Sequence, residues 1–237
     1  MNVKPLVAFG SAAFGFAALA RFVGFAFIAV GAALLAGCTG SMNRAGAAPT
    51  VVSAAGDIVP AVDRYRALLG PDNGGDPITR PSGRREINWD GVPDDLAAPN
   101  FLPGNFFNAA VGPRARGALF TTPGQGVQVS ARAGNPSNTP VRFAHLNASY
   151  AQSFKTFSGE RLFSPIGSNI VDMTFFVPGT STPALTRGFG AVYTDVDLPH
   201  TSFQYFDRDG VSLGKFPVPV ANNGLSFLGV MFDRPIV

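Results

Sequence analysis

The sequence predicts a mostly β fold, an antiparallel β-sandwich of jelly-roll type preceded by one helix. Three observations predict it. From residue 85 onward, short apolar runs rich in Val, Phe and Thr follow one another, separated by Gly, Pro, Asn and Asp. Several runs alternate: Val171, Met173, Phe175 and Val177 stand against Asp172 and Thr174, and Val192, Thr194 and Val196 against Tyr193 and Asp195. One stretch near residue 60 carries helical spacing instead. No repeat of fixed period runs through the chain, which disfavours propellers and solenoids.

Composition sets the outer bounds. Of 237 residues 46% are hydrophobic and 14% charged, and 22 are Phe, enough apolar bulk for one core and too much for a disordered chain. The 28 Gly keep no three-residue period, so collagen is excluded. A single Cys excludes an intrachain disulfide scaffold and a Cys-based zinc cluster, and two His far apart leave no His-rich metal site.

The N-terminus reads as an address. Lys4 and Arg21 are the only charges before Arg44, and between Arg21 and Cys38 every residue is apolar or small. A positive flank, an apolar stretch and small residues at its end are the layout of a secretory signal peptide. The end of the stretch, Leu35-Ala36-Gly37-Cys38, resembles the lipobox of bacterial lipoproteins at all four positions. That resemblance implies diacylglycerol on the Cys38 sulfur, cleavage ahead of Cys38 and acylation of the new amino terminus. Two or three acyl chains anchor stably where one is marginal. Thr39 follows the Cys where Asp would mark inner-membrane retention, so the resemblance favours the outer membrane in a double-membrane bacterium. Residues 1–37 are therefore read as a leader, 38–56 as a flexible tether of small residues, and 57–237 as the β-sandwich domain. Lys4 and Arg21 leave with the leader, and the net charge falls from +3 to +1. With no run of like charge to track phosphates, nucleic acid is not expected as a partner.

The elements follow in order. Asp57 is placed to cap a helix, Pro60 suits its first turn, and Gly70-Pro71 ends it; Ile58, Val62, Tyr65 and Leu69 mark its buried stripe. Residues 71–83 are turn-rich. Strands are predicted at Arg85–Trp89, Ala118–Thr122, Val127–Arg132, Val141–Leu146, Ser153–Phe157, Ile170–Val177, Phe189–Asp197, Ser202–Phe206, Ser212–Pro217 and Leu225–Phe232. Asp207-Arg208-Asp209-Gly210 is a hairpin turn between two of them. Residues 225–232 are apolar on both faces, as a central strand covered on both sides requires. The chain stops soon after, and the reading expects the last strand of the fold to be missing from it.

Chemistry-bearing motifs are few. A P-loop and a strand-following Gly-x-Gly-x-x-Gly are absent, and Pro123-Gly124-Gln125-Gly126 reads as a turn. Asn88-Trp89-Asp90-Gly91-Val92-Pro93-Asp94-Asp95 resembles half of a calcium loop, in which Asn88, Asp90, Asp94 and Asp95 would supply oxygens to a structural calcium ion. Trp89 displaces one acidic repeat and no Glu closes the loop, so turn formation competes with metal binding as the role of these residues. Asp195 and Asp197 with Asp207 and Asp209 form a second acidic group of the same kind. His145, on a predicted strand, and His200, in a loop, are the remaining titratable candidates. Trp89 beside Ile87 is expected in the core rather than as a sugar-stacking platform.

Residues 84–93 (Arg-Arg-Glu-Ile-Asn-Trp-Asp-Gly-Val-Pro), 161–169 (Arg-Leu-Phe-Ser-Pro-Ile-Gly-Ser-Asn) and 188–197 (Gly-Phe-Gly-Ala-Val-Tyr-Thr-Asp-Val-Asp) resemble segments of a group of secreted bacterial proteins, many carrying a PEP-CTERM sorting tail. The resemblance runs from about Val62 to Val237. It implies an exported, surface-associated β-sandwich and brings no catalytic activity; the lipobox and the lack of a sorting tail set this chain apart from the group. Two function classes follow. One is a lipid-anchored, non-catalytic binding or surface-structural module for a glycan or matrix ligand. The other is a secreted hydrolase acting on an envelope or extracellular polymer, with His145, His200 and the Asp pairs as its only resources.

Overall fold

The computed structural model describes residues 48–235 and the backbone of residues 6–13. It shows a mostly β, sandwich-like fold with one principal helix, as the alternation predicts. The largest sheet has five strands in the order β2-β11-β8-β1-β3, every neighbour antiparallel: β1 (Leu6–Ala13), β2 (Thr50–Ala55), β3 (Arg85–Glu86), β8 (Leu185–Val196) and β11 (Ala221–Met231). Three two-stranded ladders complete it. They pair β4 (Ala118–Thr121) with β7 (Asp172–Phe175), β5 (Gly126–Val129) with β6 (Phe163–Ile166), and β9 (Ser202–Phe206) with β10 (Ser212–Pro217).

Helix α1 (Val59–Leu69) lies on one face of the large sheet and buries Val62, Tyr65 and Leu69, with Ile58 buried just ahead. Its start differs from expectation. Ile58 occupies the N-cap position with no side-chain hydrogen bond, and Asp57 is exposed outside it. The approach of α1 is close because β8 and β11 offer glycine beneath Tyr65: a Cβ on Gly229 would stand 2.7 Å from the Tyr65 ring, and one on Gly190 2.9 Å. Tyr65 Oη donates to the Val230 carbonyl at 2.8 Å. From β9, Tyr205 Oη donates to the carbonyl of Phe189, the cross-strand partner of Val230, at 2.7 Å. Phe203, also from β9, meets Phe189 and Tyr193 at centroid separations of 5.2 and 5.4 Å, and Phe175 of β7 reaches Phe189 at 6.2 Å. These aromatic contacts bind the β9–β10 and β4–β7 ladders to β8 in one main core.

Several expectations are corrected. Thr50–Ala55, assigned by composition to the tether, is an edge strand whose Val52 is buried, so the folded region begins ahead of residue 57. Val141–Leu146 is a series of turns, with Arg142 and Phe143 at φ 52° and 64°. Its apolar content serves as an anchor, for Phe143 fills a small cluster with Phe154 and Leu162. Ser153 ends the short helix α2 (Tyr150–Ser153), and Phe154 stacks on Tyr150 at 4.4 Å instead of continuing a strand. Pairing at β3 stops at Glu86, and Trp89–Gly91 forms a 3-10 turn because Asn88 Oδ1 accepts from the Asp90 amide. The turn at Asp207–Gly210 forms as expected, with Gly210 at φ 76°. Strand β1 falls within the stretch read as leader, and Cys38 and residues 39–47 of the tether lie outside the described residues.

Candidate functional site

The acidic segment from Asn88 to Asp95 is fixed from beneath by Trp89. That side chain is fully buried, stacked on Phe163 at 4.4 Å and 13°, with Phe107 at 5.4 Å and Phe120 at 5.5 Å around it. It is a core residue and leaves no ring face for a sugar. With Trp89 and Val92 anchored, the intervening polar residues are held at the surface.

Asp90 and Asp94 accept hydrogen bonds from protein donors. Asp90 Oδ1 accepts the Glu160 and Arg161 amides at 2.9 and 2.8 Å. The Asp94 carboxylate accepts Arg132 Nε at 3.0 and 3.1 Å, Arg132 Nη2 at 2.8 Å and Arg161 Nη2 at 2.5 Å. Arg161 is only 2% exposed, and its Nη1 donates to the Ser130 carbonyl at 2.8 Å. Hydrogen bonds from Arg132 and then Arg161 hold the Asp94 carboxyl below its ordinary value against a smaller opposing effect of desolvation. The arrangement ties the 88–95 segment to residues 158–162 and to the chain beyond β5. It is a two-point clasp, amides on Asp90 and guanidiniums on Asp94. Asn88 closes its own turn, and Asp95 is exposed. Among the described residues no group of three His, Cys, Asp or Glu stands together to hold a metal ion.

The second acidic group also serves the backbone. Asp195, at φ 55°, accepts the Asn223 amide at 2.9 Å, and Asp207 accepts the amides of Asp209 and Val211, each at 2.9 Å. His145 sits half-buried in the 141–146 turns; its Nδ1 is buried without a hydrogen bond, and burial lowers its pKa. His200 is exposed in the loop before β9.

Sequence reasoning did not find the arginines. Arg132 and Arg161 lie 38 and 67 residues from Asp94, and nothing in local spacing announces them. It also did not find a second ion cluster, in which Glu86 of β3 accepts Arg66 Nε and Nη2 of α1, each at 2.8 Å, and Arg84 Nε at 2.5 Å. Among the described residues no helix is long and apolar enough to cross a membrane. Compared with family models, curated proteins and solved structures, the chain matches none.

Proposed function

We propose that this chain is an exported bacterial lipoprotein whose β-rich domain is a non-catalytic binding or surface-structural module of the cell envelope, facing a glycan or matrix ligand. The observation that carries the reading is Leu35-Ala36-Gly37-Cys38 at the end of a long apolar stretch flanked by Arg21. Acylation at Cys38 supplies the membrane attachment that two acyl chains make stable. The non-catalytic part is supported by the use of the acids: Asp90, Asp94, Asp195 and Asp207 all accept hydrogen bonds that hold loops together.

Cys38→Ala tests the reading. The variant is expected to incorporate no labelled palmitate and to accumulate as a larger precursor, because the thioether is the group on which processing depends. Equal incorporation in the variant would overturn it.

A further inference from the structure

Strand β1 occupies a slot whose walls other parts of the chain hold in place. Leu6 to Ala13 pair with β8 from Tyr193 back to Leu185, and Phe9 and Gly10 also pair with Glu86 and Arg85 of β3. The β8 wall is fixed by β11, which pairs along its other edge from Ala221 to Met231. Its bulge near Arg187 is locked locally, since Thr186 Oγ1 donates to the Gly188 carbonyl and accepts the Gly188 amide. The β3 wall is fixed from outside the sheet. Arg84 exchanges backbone hydrogen bonds with Pro71 and Asn73, its side chain reaches the Gly70 carbonyl, and Arg85 Nη2 donates to the carbonyls of Asp76 and Ile78. Glu86 is held by Arg66 of α1. The gap between the walls is two strand spacings, about 9.6 Å, the room one strand needs.

Resting on the proposed processing ahead of Cys38, we infer that the mature protein is a strand acceptor: β1 leaves with the leader, and the slot between β3 and β8 takes an extended, uncharged peptide segment of another protein. The chemistry of that partner is given by the segment the slot holds in the full chain. Leu6-Val7-Ala8-Phe9-Gly10-Ser11-Ala12-Ala13 has no charge and no proline, so it can pair along its whole length. An unpaired sheet edge of this length is a template for main-chain pairing, and strand addition is how peptides are recognised at such edges.

The test uses the mature lipidated protein in detergent, its mass first confirming loss of residues 1–37, and a fluorescein-labelled peptide of residues 6–13. Saturable binding by anisotropy is expected. It should weaken at least tenfold when Ala8 and Gly10 of the peptide are replaced by Pro, which removes two main-chain donors, and also when the unprocessed Cys38→Ala protein, with its slot filled, replaces the mature one. A processed protein that ignores the peptide, or binds the proline version equally well, overturns the slot and leaves the lipoprotein reading intact. A mass that retains residues 1–37 overturns the processing reading, and the vacant slot with it. A mature dimer that the peptide dissociates assigns the strand to a second copy and overturns the choice of a different protein.

Discussion

At the scale of single residues, Arg161 carries the most consequence. Its guanidinium is buried and joins Ser130 to Asp94, while its amide joins Asp90. Truncation leaves the buried Ser130 carbonyl without this donor, which costs about 1–3 kcal/mol, while Asp94 keeps Arg132. Arg161→Ala is therefore expected to lose about 1–3 kcal/mol in urea unfolding, and Arg132→Ala, whose side chain is half in solvent, far less. The same clasp bears on calcium. With Asp90 Oδ1 and the Asp94 carboxylate already accepting N–H donors, the melting temperature is expected to be the same in EDTA and in millimolar calcium. A calcium-dependent rise that Asp90→Ala erases would instead establish an ion at Asn88, Asp90, Asp94 and Asp95. The sequence made these four residues legible as a cluster of oxygens, of which Asp90 and Asp94 share a task in the clasp. It hid which cations or amides they meet, because those partners arrive through tertiary folding.

At the scale of elements, the seat of α1 on the large sheet depends on the absence of side chains beneath Tyr65. A Cβ at position 229 would meet two ring carbons of Tyr65 at 2.7 Å, and the ring cannot retreat without giving up the Val230 carbonyl. Overpacking of a filled core costs about 1–3 kcal/mol, so Gly229→Ala is expected to destabilise by that amount. Tyr65→Leu should relieve part of the clash, and a double-mutant cycle should return a coupling above about 0.5 kcal/mol, whereas additive effects would show that the ring and the glycine are independent. Elements with strong local signatures were legible. These are α1, the alternating cores of β7 and β8, the β9–β10 hairpin with its Asp-Gly turn, and β11, apolar on both faces because α1 covers one side and the aromatic ladders the other. Elements made by context were not. Strand β6 contains Pro165 and pairs through it with Val127, against the ordinary reading of proline. Strand β2, Thr-Val-Val-Ser-Ala-Ala, has the small residues of a tether and becomes a strand only because β11 offers it an edge.

At the scale of the whole molecule, ion clusters tie together segments distant in sequence, and this sets the response to acid. Glu86 is the joint between α1, β3 and the preceding loop. Burial pushes its carboxyl up, but the hydrogen bonds from Arg66 and Arg84 outweigh it and hold the carboxyl below its ordinary 4.5. Asp94 is held below its ordinary 3.8 in the same direction by Arg132 and Arg161. For both, the unfolded chain binds protons that the folded chain refuses. Their stabilisation is complete above the ordinary values and is lost as pH falls through the lower folded ones. His145 acts at higher pH with the same slope: burial lowers its pKa from 6.5, so stability begins to decline as pH falls below that value. The expected profile of urea midpoint against pH is a shallow decline below 6.5 and a steep one below 4.5. Glu86→Gln should lower the plateau near pH 7 and flatten the steep limb, because the variant has no proton to take up there. His145→Gln should remove the shallow decline alone. A Glu86→Gln profile parallel to that of the parent protein at every pH would mean that the joint between α1 and β3 draws nothing from its charge.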